Sequence, residues 1–464
     1  MIELPSGWMH VAIGDLCNLI NGRAFKPQEW SEAGLPIIRI QNLNNPKASF
    51  NHYSGELDLK HKVQNGDLLF AWSGTPGTSF GAHIWKGDDA ALNQHIFRID
   101  FARDEIHPGF LRYAVNQKLD DLIGSAQGGV GLRHVTKGAF EKTEIAFPPR
   151  AEQARIAAKL DELLAQVDTL KARIDGIPAL LKRFRQSVLV AAVSGRLTEA
   201  WRESNSVSES AEEYLVRVIQ CRRQTPIVKF KEPVSPDLEK REVEAPQGWI
   251  VASVSQFAEC LDSMRVPVKK ELRNGGEGKY PYFGANGEVD RVDEYIFDDD
   301  LVLVTEDETF YGREKPIAYK YSGKCWVNNH VHALRAHDSV ARDYLCYALM
   351  HYDVIPWLTG TTGRAKLTQG ALLSLPIQVP PYEEQTEIVR RVEQLFAFAD
   401  QLEARVAAAQ ERIDKLTQSI LAKAFRGELV PQDPNDEPAS VLLERIKAQR
   451  AAAPKAKRGR KAKA

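Results

Sequence analysis

This chain is written twice. Displacing the sequence by 232 residues lays Pro148–Leu197 on Pro380–Leu429 without a gap, with 17 of 50 positions identical. Chance gives only a few matches, so an internal repeat is present, and a repeat sets the architecture before any local reading does. Shared positions include Pro148/Pro380, Pro149/Pro381, Glu152/Glu384, Gln153/Gln385, Asp168/Asp400, Gln186/Gln418, Ser187/Ser419 and Gly195/Gly427. Other segments match at slightly different offsets, as loop insertions would produce. ELPSGW (Glu3–Trp8) pairs with EAPQGW (Glu244–Trp249), GDLLF around Asp67 with DDLVL around Asp300, and Asn93-Gln94-His95 with Asn328-Asn329-His330. The order is therefore module, helix, linker, module, helix.

Both repeated helices carry an apolar seam. In the first copy it runs through Ile156, Leu160, Leu163, Val167, Leu170, Ile174, Ile177, Leu181, Phe184 and Val188. In the second it runs through Ile388, Val392, Leu395, Ala399, Leu402, Val406, Ala409, Ile413, Leu416 and Ile420. Alternating steps of four and three, a mean of 3.5, held over more than four heptads argue for a coiled coil rather than a helix lying on one domain. Each seam is about 48 Å long at 1.5 Å per residue. Gly195 and Gly427 suit the left-handed position that closes a helix. Gly176 and Pro178 conflict with the pattern and are expected to kink or interrupt the first helix.

The stretch VPPYEEQ (Val379–Gln385) looks like the Pro-Pro-aromatic loop of enzymes that methylate exocyclic amino groups. That loop needs a leading Asn or Asp to accept a hydrogen bond from the attacking amine, and Val379 cannot accept one. In the other copy, FPPRAEQ (Phe147–Gln153), Arg150 replaces the aromatic. Pro-Pro lacks backbone donors and ends the preceding strand, so both stretches read as helix starts. Glu152 and Glu384 then fall in the first turn, where the helix dipole favours an acid.

At 464 residues the chain exceeds one core and fits two to four domains. The five cysteines are scattered without a C-x-x-C pair, which argues against a disulfide framework or a zinc module. No run of about 18 apolar residues spans a bilayer, and MIELPSGW lacks a basic-then-apolar leader, so a cytoplasmic location with no membrane partner is expected. The formal net charge of −1 hides a tail, PKAKRGRKAKA, whose six Lys or Arg suit either nucleic acid or a plain solubilising terminus.

The paired P-P-x-x-E-Q starts, KLDELLAQVD beside RRVEQLFAFAD, and RFRQSVLVAAVSGRL beside LTQSILAKAFRGEL resemble the DNA specificity subunits of type I restriction-modification systems. The likeness covers nearly the whole chain. It implies an α+β fold of two globular mixed α/β target-recognition domains, separated by two long helices that form an antiparallel coiled coil with a pseudo-twofold internal repeat. The boundaries are then 1–147 and 244–379 for the recognition domains, 148–200 and 380–430 for the spacer helices, 201–243 for the linker, and 431–464 for the C-terminal segment. It further implies that this subunit is not catalytic. Its partners would be double-stranded DNA, two methyltransferase (modification) subunits and motor-nuclease (restriction) subunits. No cofactor is expected in this chain; S-adenosylmethionine, ATP and Mg would reside in the partners.

A duplicated module with two-fold pseudo-symmetry suits two half-sites, and unlike copies imply unlike halves. Side chains able to bond bases or phosphates cluster in matched glycine-flanked loops. Gly124–Gly138 offers Arg133, His134 and Lys137, and Leu358–Gly370 offers Arg364, Lys366 and Gln369. Ser73–Gly81 offers Ser73, Thr75 and Ser79, and Glu306–Lys315 offers Arg313 and Lys315. The amide-rich third pair, Ile38–Asn45 and Tyr282–Glu288, offers Arg39, Gln41, Asn42, Asn44 and Asn286.

Three sharper-looking motifs are set aside. GGEGKY (Gly275–Tyr280) lacks P-loop spacing. His330 and His332 alternate on a strand with no third metal ligand in view, so a pairing in core or surface is expected and no metal is assigned. The acidic run Asp298–Asp300 reads as a turn before a strand. Asn93 and Asn328 are expected to bond backbone rather than base. Competing classes are a self-contained DNA methyltransferase or nuclease, and a coiled-coil scaffold without direct DNA readout.

Overall fold

The computed structural model describes residues 4–452 apart from 46, 75–79, 125–132, 270–272, 274–276, 308–309 and 362–364, together with the Arg133 side chain. Thr75, Ser79, Arg364, Gly275, Gly276 and the basic tail lie outside these described residues. Two compact units divide the chain, one of residues 1–174 and 408–464, the other of residues 175–407. Each unit holds one module, the start of one long helix and the end of the other.

In the first unit a four-stranded antiparallel sheet runs in the order Cys17–Asn21, Ile96–Phe101, Leu68–Ala71, Gly81–Ile84. The helix Pro108–Gln117 buries Phe110, Leu111, Ala114 and Val115, and Phe70 and Phe97 of the sheet belong to the same core. Met9–Ala12 pairs with Glu144–Phe147 just before the long helix begins. The second unit repeats this plan. Glu259–Cys260, Val331–Arg335, Phe297–Thr305 and Ala318–Val327 follow the same spatial order, Ser339–Leu349 takes the place of the helix, and Ile250–Ser253 pairs with Pro376–Val379. A hairpin, Tyr280–Gly284 with Gly287–Val292, extends this sheet to six strands.

The acidic run departs from expectation. Asp298–Asp300 lies inside the strand Phe297–Thr305, not in a turn before it. Its charges are carried there by Lys324 at 4.0 Å, Arg335 at 3.5 Å and Arg342 at 2.8 Å from Asp298, Asp299 and Asp300 respectively. Neighbouring cations override the poor strand propensity of Asp.

The helices begin where the Pro-Pro pairs place them, at Arg150 and Tyr382. Gln153 Nε2 donates to the Pro148 carbonyl and Gln385 Nε2 to that of Pro380, both at 3.0 Å. The second helix runs unbroken over Tyr382–Phe425, whereas the first is two helices, Arg150–Asp175 and Ile177–Val193. Gly176 between them keeps φ −76 and ψ −21, so the missing donor of Pro178 interrupts the ladder while the backbone stays helical. Gly195 and Gly427 close the helices at φ +74 and +73.

Helix pairing is antiparallel within each unit. In the first, Lys171 meets Asp414 at 3.1 Å, and Arg155 meets Asp436, which lies just beyond the end of the second helix, at 2.6 Å. In the second, Arg185 meets Asp400 at 2.7 Å, and Thr198, just beyond the end of the first helix, meets Glu384 at 2.6 Å. One partner's number falls as the other's rises. Ile156, Leu160, Val167, Leu181, Ile388, Val392, Ile413 and Ile420 are buried, and Leu163, Ile174, Phe184, Leu395, Leu402 and Val406 are half-buried. Leu170 and Leu416 stay 47% and 46% exposed, since a lone partner helix covers only one side of a seam away from the domain cores.

The segments after each long helix fold back into the cores. Tyr214, Leu215 and Val218 of the helix Ala211–Gln224 join the second core, so the stretch expected as linker also fills that domain. Leu442, Leu443 and Ile446 of the helix Ala439–Ala452 join the first core. Arg222 donates to the Ser255 and Gln256 carbonyls, and Arg450 to the Gly14 carbonyl and Asn18. Two arginines at the ends of matched helices thus do matched work.

Candidate nucleic-acid interface

Three loops meet at the end of the central strand in each module, held by the same backbone bonds. In the first, Trp72 N donates to the His95 carbonyl at 3.3 Å and Val135 N to the Trp72 carbonyl at 2.9 Å. In the second, Glu306 N donates to the His330 carbonyl at 3.0 Å and Leu367 N to the Glu306 carbonyl at 2.8 Å. Ser73 pairs with His134 as Asp307 pairs with Lys366. Asn93 Oδ1 accepts from His95 N, and Asn328 Oδ1 from His330 N, so both asparagines bond backbone. The first amide-rich stretch, expected as a loop, is a short helix over Ile40–Asn44, because Asn42 caps it from Arg39, and the second is a hairpin turning at residues 285–286. Both follow or include strands that run parallel to the segment entering this asparagine turn, with Ile38 opposite Leu92 and Phe283 opposite Val327. Thr136 and Thr368 cap the short helices after the third loop.

The side chains on this common frame differ. Trp72 is stacked on Phe97, with centroids 5.4 Å apart and planes at 20°, and also faces His95 and His134 at 5.6 and 5.8 Å. In the second module, Glu306 takes Arg265 at 2.6 Å and Lys366 at 2.7 Å. His332 is fully buried, its Nδ1 2.6 Å from Asp262 and its Nε2 2.8 Å from the Leu367 carbonyl. The ligand atoms of Asp262, Glu306 and His332 lie within 4.8 Å of one another, a spacing a metal ion would accept. Here Arg265 and Lys366 already sit on the carboxylates.

Burial pushes the Asp262 carboxyl up, but His332 and Arg265 more than offset it, and it rests below its ordinary 3.8. Glu306 behaves alike, burial being outweighed by Lys366 and Arg265, and rests below 4.5. The unfolded chain therefore binds more protons in acid than the folded one, so this stability is complete above those ordinary values and lost as pH falls through the depressed ones. The melting temperature of the second unit is expected to fall more steeply from about pH 5 to about pH 3 in the unmodified chain than in Glu306→Gln. Equal slopes in a pH series of thermal melts would refute it.

The residues singled out in the sequence spread over this frame unevenly. Gln41 and Asn44 are exposed, and Arg39 lies over the Trp30 ring at 5.8 Å. Asn42 is buried: its Oδ1 accepts from Arg39 N and caps the short helix Ile40–Asn44, and its Nδ2 donates to the Ala48 and Ser49 carbonyls, so it shapes the chain rather than facing a base. Ser73 is buried in the pairing with His134. Arg133 stands beside His134 in the same short strand. Lys137 reaches the Leu19 carbonyl at 3.1 Å and Glu141 at 3.6 Å. Asn286 and Lys315 are exposed, Asn286 at the tip of the hairpin, while Arg313 clamps the Lys315 and Pro316 carbonyls. Lys366 is 44% exposed beside Glu306, and Gln369 points inward at Cys260 and Asp262. Sequence reading missed Trp72, Phe97, Asp262 and Arg265. The repeat carried a signal for Phe97, which the pairing of Asn93 with Asn328 sets on His332. For Trp72 the strand ladders correct the pairing of GDLLF with DDLVL by one residue, since Leu68 matches Val302 rather than Leu301 and Trp72 therefore matches Glu306 rather than Thr305.

Burial pushes the thiols of Cys17, Cys260, Cys325 and Cys346 up to about 12, so they stay protonated. Among the described residues, no helix is long and apolar enough to cross a membrane.

Comparison with known proteins agrees with this duplicated frame. Residues 5–179 and 246–410 each match the type I restriction modification DNA specificity domain. The EcoBI specificity subunit of Escherichia coli is 31% identical over 99% of this chain and 96% of its own length. The StySPI specificity subunit of Salmonella potsdam is 30% identical over 99% of each. Among solved structures, the HsdS subunit of Thermoanaerobacter tengcongensis matches with a TM-score of 0.53 at 19% identity, over 92% of this chain and 98% of that one. A chain from a type I R-M system matches with a TM-score of 0.60 at 19% identity, over 92% and 100%. Two matched domains and full-length kinship place this chain in the family of type I restriction-modification DNA specificity subunits.

Proposed function

We propose that this chain is the non-catalytic subunit that reads an asymmetric, bipartite DNA sequence for a type I restriction-modification complex in the cytoplasm. Each module reads one half through its three converging loops, and partner methyltransferase subunits, carrying S-adenosylmethionine, flip and methylate the target adenines. Motor-nuclease subunits using ATP and Mg supply restriction. The observation that carries this reading is the shared backbone frame bearing different side chains in the two modules. A common frame suits a common ligand, B-form DNA, and different side chains suit different bases. Exposed groups at this end of the modules, among them Gln41 on the short helix Ile40–Asn44, Asn286 and Lys315, together with the half-exposed Lys366, supply amides for base edges and cations for phosphates.

The test is to express the chain with its methyltransferase subunits and sequence the methylated DNA. One split sequence of two unlike halves, with a constant unread gap, is expected. Methylation by the purified chain alone would overturn the non-catalytic role. A complex that methylates without sequence preference would favour a coiled-coil scaffold lacking DNA readout.

A further inference from the structure

The two modules share their backbone frame but divide over one three-residue contact at its centre. Superposing the ladders places Trp72 with Glu306, Phe97 with His332, and His134 with Lys366. In the first module these positions form an aromatic cluster, Trp72 stacked on Phe97 and tilted at 57° to His134. In the second, Glu306 is ion-paired with Lys366 at 2.7 Å and its carboxylate lies 3.8 Å from the His332 ring. In both, the first residue follows the central strand, the second sits on its neighbour, and the third belongs to the loop before the short capped helix. The contact is therefore where the loops are fastened to the sheet.

We propose that these two triplets are positioning residues that set the register of the loops in each module, and so determine which bases that module selects. The proposal rests on the reading that each module recognises one half of the target. Glu306 and His332 are 9% and 0% exposed in their side chains, so they act through Lys366 and the backbone it belongs to rather than by touching DNA. The two fastenings also differ in stiffness. A stack holds rings over a broad range of offsets, whereas a buried carboxylate taken by Arg265 and Lys366 is held to hydrogen-bond distance. Base readout needs donors placed to within fractions of an ångström, so a loop that slides loses discrimination before it loses affinity.

The experiment uses the full chain assembled with its methyltransferase subunits and sequences the methylated sites, scoring the two halves of the target separately. Glu306→Gln keeps the shape and removes the charge. It is expected to cut discrimination roughly tenfold or more at bases of one half, leaving the other half and the unread gap unchanged. Trp72→Leu is expected to do the same to the opposite half. A general loss of folding would degrade both halves together, which neither variant should do. If Glu306→Gln does not assemble, Arg265→Lys, which keeps the charge but loses the fork, carries the same expectation. Unchanged preferences in both halves, joint loss of both, or the same half affected by both variants would overturn the proposal. Absence of any bipartite methylation by the unmodified complex would instead refute the parent reading, and the proposal with it.

Discussion

Trp249→Ala is expected to destabilise the second unit by about 3–5 kcal/mol, the usual cost of emptying a buried indole site. Trp249 is 5% exposed within the second core, and its ring lies edge-on to Tyr344 at 6.4 Å and beneath Arg202 at 5.6 Å. Its Nε1 donates to Glu384 at 2.8 Å, and Glu384 is 1% exposed. Alanine would therefore leave both a cavity and a buried carboxylate with one donor fewer, although Thr198 and Arg202 still hold the other oxygen. Trp8 and Glu152 repeat the arrangement at 2.9 Å, with Gln432 on the second oxygen at 2.6 Å. Burial pushes the Glu152 carboxyl up even so. Denaturant unfolding followed by hydrogen exchange in the strand Phe297–Thr305 measures the effect. A loss below about 1 kcal/mol would show that Trp249 is not part of the cooperative core.

Removing residues 431–464 is expected to destabilise the first unit by about 5 kcal/mol or more and to leave the second unit's stability unchanged. The lost helix Ala439–Ala452 buries Leu442, Leu443 and Ile446 at 1%, 5% and 0% exposure, and deleting a single such side chain costs about 2–5 kcal/mol. Asp436 leaves Arg155, and Gln432 leaves Glu152 with Trp8 alone. Arg445 ceases to pair with Glu105, and Arg450 no longer caps the Gly14 carbonyl. Hydrogen exchange read separately over Ile96–Phe101 and Val331–Arg335 distinguishes the outcomes. Equal protection of the first strand before and after truncation would mean that the C-terminal segment only decorates the surface.

Local chemistry determined a great deal. Pro148-Pro149 and Pro380-Pro381 dictate helix starts because a residue without a donor ends a strand, and the helices do start at Arg150 and Tyr382. Gly195 and Gly427 dictate helix ends because only a residue without Cβ takes φ near +74 at no cost. The 3.5-residue spacing identified the seams, and the 232-residue offset identified the duplicated architecture.

What propensity and spacing do not encode is which distant groups meet. Asp298–Asp300 reads as a turn on its own, and becomes strand because Lys324, Arg335 and Arg342 face it from other elements. Asn42 reads as a base-reading amide until the Ala48 and Ser49 carbonyls occupy it. The repeat, the long helices and most of the polar loops are legible in the order of residues alone. That Trp72 stacks where Glu306 is ion-paired is not, because that choice is made by contacts 25 to more than 60 positions apart along the chain, whose geometry no local pattern records.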